Sequence, residues 1–225
     1  MTDTKKPGFR KWIMLIILLF SPGFVLYMCS RHITSQGKQK LVEMPNMAKL
    51  NDFSLRKENG EIITLESLKG NITIITTIQN TCPDSCGIQL GQFNELVYKH
   101  IYNHREKQDY VRILSVAIDS EGKPVDNFDK INYSLNKYIQ NYDENLWSVA
   151  TGDPKQVFDV EINGKVLFDE ISETSYGGKL YMNSVLLVDK KGQVRSVRLG
   201  KGEAQVRDFT GELRGLIGEY KYGDK

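Results

Sequence analysis

The hydrophobic pattern begins with an anomaly. Trp12 to Ser30 reads WIMLIILLFSPGFVLYMCS, 19 residues without a charge. As a helix rising about 1.5 Å per residue it would span roughly 28 Å, close to the thickness of a bilayer core. Pro22 and Gly23 would kink such a helix, and lipid-spanning helices tolerate both. The run is apolar on every face and follows a basic flank at residues 1–11, so it is predicted to be a transmembrane anchor rather than a buried core helix. Residues 31–49 are polar and mixed, with Gly37 and Pro45, and are predicted to tether the anchor to a folded body over residues 50–225.

In the body the hydrophobic period alternates between strand and helix values. Asp52–Leu55 and Ile62–Leu65 flank ENGE, whose Asn59-Gly60 predicts a hairpin turn. Ile72–Ile78 reads ITIITTI and predicts a strand buried on both faces. Beyond Cys86 a helix is predicted, with Leu90, Phe93, Val97, His100 and Ile101 on one face. Arg112–Ile118 predicts a second central strand, Val125 to about Tyr142 an amphipathic helix, and Trp147–Ala150 a short strand. Asp153 is placed to cap a short helix at Pro154–Phe158. Ser184–Val188 and Val194–Leu199 flank DKKGQ as a second hairpin, and Val206–Tyr220 is a closing helix. The order predicts an α/β fold with a mixed sheet.

Charge changes the picture at the N-terminus. The chain of 225 residues carries a formal charge of +2, but residues 1–11 hold four basic residues against Asp3. The remaining chain has 26 basic and 27 acidic residues, too balanced for a nucleic-acid surface. The basic flank favours a cytoplasmic N-terminus, with the body on the other side of the membrane, in a periplasm or its equivalent. Two alternatives compete with the anchor. A cleaved signal peptide lacks an A-x-A-like site. A lipoprotein would use Cys29, yet Tyr27 and Met28 are bulky where small residues usually stand. P-loop, G-x-G-x-x-G, H-E-x-x-H and G-x-S-x-G motifs are absent from the sequence, leaving nucleotide, zincin and hydrolase readings without support.

The candidate chemistry is Thr81-Cys82-Pro83-Asp84-Ser85-Cys86. It lies where a predicted central strand ends and a helix starts, the sheet edge at which open α/β folds usually carry their ligands. Cys82 and Cys86 are four apart, so on a first helical turn both can face one way. Such a pair can chelate a soft Cu(I) ion or close into a disulfide and exchange electrons. A static disulfide is the plain alternative, though closing so short a loop constrains the unfolded chain little. Three cysteines are too few for a disulfide scaffold.

The wider pattern resembles the SCO/SenC family. The stretches that carry the likeness are NDFSL at 51–55, LESLKG at 65–70, TCPDSC at 81–86, VRILSVAID at 111–119, LWSVATGD at 146–153 and SVLLVDKKGQVR at 184–195. They occur in family order over about residues 50–220. The resemblance implies a thioredoxin-like fold with a mixed central sheet and flanking helices, behind one N-terminal transmembrane helix. It implies a copper chaperone that binds Cu(I) through Cys82 and Cys86 and assists assembly of the CuA centre of cytochrome c oxidase. The implied partner is the oxidase's copper-receiving subunit or another extracytoplasmic thiol protein.

This chain departs from the family at the third copper ligand, where members carry a His just before the strand that here starts near Ser184. Depending on a two-residue gap, that position is Tyr181 or Asn183, with Met182 between them as a soft thioether. The three histidines are His32, His100 and His104. His100 lies 14 residues past Cys86 on one predicted helix, about 21 Å away, so it cannot complete the cysteine site within one molecule. His100 and His104 therefore read as helix-surface or half-buried residues. Loss of a nitrogen ligand should weaken Cu(II) more than Cu(I), so the rival function is a thiol–disulfide reductase using the same cysteines without copper. A peroxide-reducing relative and a silent assembly factor are more distant rivals. Asp84 is expected to tune the pair or cap the helix, Trp147 and Thr151-Gly152 to serve core and turn, Tyr176-Gly178 to be a loop, and the charges at Lys201–Arg214 to form a solvated face.

Overall fold

The computed structural model describes residues 44–81, 84–162, 164–166 and 180–222, with only the backbone at 84–86, 162 and 165. The predicted anchor at 12–30, Cys82 and the Tyr176-Gly178 stretch lie outside the described residues. Among the described residues no helix is long and apolar enough to cross a membrane.

The strands are β1 (Ala48–Lys49), β2 (Ser54–Lys57), β3 (Ile62–Thr64), β4 (Ile72–Gln79), β5 (Val111–Ile118), β6 (Trp147–Thr151), β7 (Glu161–Ile162), β8 (Lys165–Val166), β9 (Ser184–Val188) and β10 (Gln193–Leu199). The helices are α1 (Leu65–Leu68), α2 (Asp84–Phe93), α3 (Lys99–Asn103), α4 (Asp129–Tyr138), α5 (Lys155–Phe158) and α6 (Glu203–Tyr222). A π-helical segment, Asn94–Tyr98, joins α2 to α3 without a break, and a 3-10 turn, Leu180–Asn183, leads into β9.

Eight strands form one sheet in the order β1-β10-β9-β4-β5-β6-β2-β3, and β7 pairs with β8 apart from it. β4, β5 and β6 run parallel, with Ile72 opposite Val111 and Ile113 opposite Trp147. β9 is antiparallel to β4, and β10 to β9. Parallel strands need a crossover, which α2, the π segment and α3 supply between β4 and β5. This βαβ unit with an antiparallel hairpin and a closing helix is a mixed, thioredoxin-like arrangement.

The β-branched run forms the middle of the sheet because both of its faces are covered. Ile72, Ile74 and Ile78 of β4 pack on one side with Val97, Ile131, Phe209 and Leu213 from the helical layer. Ile75, with Leu114, Val116, Leu186 and Val188, packs on the other side against Leu55, Ile63, Val157 and Phe158. Each fully buried Ile or Leu contributes about 2 kcal/mol before chain entropy is subtracted. Gly60 (φ +86°) turns the β2–β3 hairpin and Gly192 (φ +79°) the β9–β10 hairpin, both at the expected places.

Three boundaries differ from the sequence expectation, each for a tertiary reason. Leu65 opens α1 instead of ending a strand, because Thr64 and Ser67 form a capping box around that turn. The helix expected from Val125 to Tyr142 is only Asp129–Tyr138. At its start Pro124 bridges Ile118, Val125 N–H donates to Ala117 O, and Asn127 Oδ1 accepts from Asp129 N at 2.9 Å. At its end Asn141 adopts φ +55°, and its carbonyl accepts from the Tyr98 hydroxyl at 2.7 Å. The third is the chain's entry: β1 pairs with β10 before residue 50, with Ala48 opposite Val194.

Candidate functional site

β4 delivers the chain to the site. After Gln79 the Asn80 N–H donates to Ile118 O at 2.9 Å, Thr81 is exposed, and α2 begins at Asp84. Cys86 is therefore in the first turn of α2, beyond the carboxyl end of the central strand. Unpaired backbone N–H groups at a helix start favour an anionic thiolate over a thiol. Gly87 follows, and a Cβ placed there would come 2.6 Å from the Tyr138 ring. Glycine thus lets α4 lie against the helix directly after Cys86.

A cleft of about 60 Å³ opens beside this helix. Gln79 at the end of β4, Gln89 and Leu90 of α2, and Asn183 and Lys201 are among its lining. Phe93 and Trp147, both buried, line it too. Trp147 belongs to the core, as expected, with its indole N–H donating to Ser115 Oγ at 2.9 Å and its ring 5.2 Å from Phe93.

The 3-10 turn Leu180–Asn183, which holds both candidate third-ligand positions, is bolted to the sheet. Tyr181 is buried, its hydroxyl donates to Gly122 O at 3.1 Å, and its ring lies 6.0 Å from Phe158. Burial, with Asp153, Asp119 and Asp159 nearby, raises its phenol above the ordinary range, so it stays a neutral hydroxyl. Met182 is buried, and a Cβ on Gly122 would meet its sulfur at 3.3 Å. Met182 O accepts from Thr77 Oγ1 at 2.7 Å, and Asn183 O accepts from Gly200 N–H at 2.8 Å. Only the Asn183 side chain, of the two candidate positions, is exposed on the cleft.

Lys201 is the residue that sequence reasoning missed. Instead of joining a solvated face, its ammonium donates to Thr77 O (2.7 Å), Thr77 Oγ1 (2.9 Å) and Met182 O (3.1 Å). It thereby ties the end of β4 to the 3-10 turn. All three acceptors are neutral, and burial pushes the amine down to about 7. Its sequence setting, GKG ahead of a helix, carries no periodicity that would have revealed this.

This lysine makes stability depend on pH in a predictable direction. The unfolded chain holds the Lys201 proton up to its ordinary value of 10.5, whereas the folded chain releases it near 7. Between those values the unfolded state binds more protons, so stability rises with pH, by at most about 1.4 kcal/mol per unit. Below 7 both states are protonated and the slope from this group vanishes. Urea unfolding of wild type and Lys201→Met at pH 6.5 and 9.5 is expected to show wild type gaining on the variant at the higher pH. Parallel profiles would refute that assignment.

His100 and His104 lie at the far end of the α2–α3 helical run, where His100 is half-buried and His104 exposed. They stand at the opposite end of that run from Cys86, in line with the sequence spacing.

Comparison with known proteins agrees with this architecture. A family model described as SCO1/SenC matches residues 43–217. The SCO2-like protein of Rickettsia conorii is 26% identical over 164 residues, covering 72% of this chain and 74% of that relative. The SCO2-like protein of Rickettsia felis is 26% identical over 165 residues, with the same coverage. Among solved structures, BsSco, a Sco-family cytochrome c oxidase assembly protein with a disulfide switch, superposes with a TM-score of 0.51 at 19% identity, over 79% of this chain and 98% of that one. A SCO1/SenC family lipoprotein from Bacillus anthracis superposes with a TM-score of 0.51 at 16% identity, over 78% and 98%. The structural likenesses carry the fold alone, and the family model, which matches well over half of the chain, shows that the chain belongs to the SCO1/SenC family.

Proposed function

We propose that this chain is a membrane-anchored copper chaperone of SCO type. It binds Cu(I) through Cys82 and Cys86 and assists CuA assembly of cytochrome c oxidase. Residues 12–30 anchor it, the N-terminus is cytoplasmic, and the body works on the extracytoplasmic side. The observation that supports this most is the position of Cys86: first turn of α2, beyond the end of β4, beside an open cleft, in a SCO1/SenC body. Two thiolates suit a soft monovalent ion, and delivery proceeds by exchange of thiolate ligands with the acceptor, leaving copper's oxidation state unchanged.

One observation favours a second reading. Tyr181 spends its hydroxyl on Gly122, and Asn183 offers a neutral amide, so the 180–183 turn presents no imidazole. Without copper, the same cysteines would act as a thiol–disulfide reductase. One thiolate attacks a partner disulfide, the other resolves the mixed disulfide, and two protein thiols become a disulfide as the partner gains two thiols. BsSco, which shares the family and the fold, is described by a disulfide switch of its own.

The test is competition for Cu(I) against a chelator, using the reduced full-length chain in detergent beside Cys82→Ser/Cys86→Ser. One equivalent held by wild type and lost in the variant is expected. If both release copper alike, delivery by this chain is refuted and reductase assays on an oxidised partner decide the second reading.

A further inference from the structure

His100 and His104 stand at the end of the helical run, and His100 is 14 residues past Cys86, about 21 Å along the axis. Three observations distinguish them from ordinary surface histidines. Their ring centroids are 4.7 Å apart. His104 Nδ1 lies 2.7 Å from His100 O, and because a carbonyl only accepts, that nitrogen carries the proton. In the neutral imidazole this tautomer puts the lone pair on Nε2, the nitrogen that a metal would take. Donation of one ring N–H to a carbonyl is the support that metal-ligating histidines usually have. Both rings line an open cleft of about 410 Å³ between this helix and α6.

The spacing suits a chelate. With a metal–nitrogen bond of about 2.0–2.1 Å and a ring centre roughly 1.1 Å farther on, two imidazoles meeting at 90–110° have centroids about 4.5–5.2 Å apart. The observed 4.7 Å falls in that span. The charges around the cleft are largely neutralised. Lys99 is paired with Glu95 at 2.5 Å and Arg207 with Glu203 at 2.5 Å, which leaves Arg214 as the lining charge opposed to a cation.

We propose that His100 and His104 form a second metal site, a two-nitrogen chelate for one borderline divalent ion, with water completing the coordination. Imidazole donors place Cu(II) first in affinity, ahead of Ni(II) and Zn(II). The site is opposite in character to the cysteine pair: nitrogen for the harder, oxidised ion and sulfur for the softer, reduced one. It stands independently of the function proposed for Cys82 and Cys86.

The test removes sulfur first. The full-length chain, with its three cysteines alkylated, is titrated with Cu(II), and nitrogen hyperfine structure is read by electron paramagnetic resonance. One Cu(II) per chain with two imidazole nitrogens is expected. His100→Gln and His104→Gln should each weaken binding roughly tenfold or more, as loss of one arm of a chelate requires. A single-nitrogen signature, or an affinity unchanged in both variants, would place the ion elsewhere, for instance at His32, and overturn the proposal. Because the thiols are blocked throughout, the result is separate from any outcome at the Cu(I) site.

Discussion

Asn183→His is expected to give the cysteine site a Cu(II) affinity that wild type lacks. Copper(II) favours nitrogen donors and tetragonal geometry, which two thiolates alone do not provide. Asn183 is exposed on the cleft that Gln89 and Leu90 line from the helix that begins with Cys86 in its first turn, so an imidazole there faces that cleft without displacing core. The turn that carries it is already fixed through Asn183 O and Met182 O, so little ordering remains to oppose binding. A tenfold gain corresponds to about 1.4 kcal/mol, and one new imidazole bond in place of water should exceed it. Tyr181→His is the contrasting variant. It buries an imidazole at a 7% exposed position, breaks the bond to Gly122 O, and should cost roughly 2 kcal/mol of stability with no gain in Cu(II) affinity. Visible and paramagnetic titrations of both variants decide the matter. A Cu(II) site created by Tyr181→His and not by Asn183→His would show that the ligand position has been placed on the wrong residue.

These two variants also mark how far the sequence reached. The ungapped and gapped alignments of YMNSVLLVD left Tyr181 and Asn183 equally open, because sequence offsets say nothing about which side chain a 3-10 turn turns inward. Central strands β4 and β5 were readable, since a β-branched run buried on both faces has few alternatives. The hairpin turns were readable from Asn59-Gly60 and Gly192, where positive φ demands glycine. The extent of α4 was not, because Pro124, Val125 and Asn141 are held by partners distant in sequence, and a helical period cannot register those. Lys201 was misread for the same reason. Its partners, Thr77 and Met182, are 124 and 19 residues away. Cys86 lies where the strand-to-helix reading put it, at the head of α2.

The largest loss of stability from a single polar change is expected at Arg195, another residue whose role is invisible to periodicity. It sits on β10 with 5% of its side chain exposed and reaches two carboxylates: Asp189 at 3.1 Å and Glu219 at 2.7 Å. It also donates to Met44 O at 2.6 Å, while the Met44 N–H donates to the same Glu219. Asp189 in turn accepts from Lys191 N and Gln193 N, which shapes the β9–β10 turn. One guanidinium therefore joins the hairpin, the closing helix and the point where the chain enters the body. Arg195→Met keeps much of the apolar stem but leaves the buried Asp189 and the half-buried Glu219 carboxylates without their cation. Breaking a buried ion cluster from one side costs about 3–5 kcal/mol, far more than the cluster itself need contribute relative to an apolar replacement. For a body of this size the midpoint of thermal unfolding should fall by about 10 °C. Arg195→Lys should recover part of the loss, because one ammonium cannot reproduce a planar fork serving three acceptors. The deficit should also persist in high salt, since Asp189 is only 2% exposed and screening acts mainly on solvated charges. Chemical unfolding at low and high ionic strength measures both points. A loss below 1 kcal/mol, or one that salt erases, would mean that the cluster is solvated and that the entry of the chain at Met44 is held by the β1–β10 pairing instead.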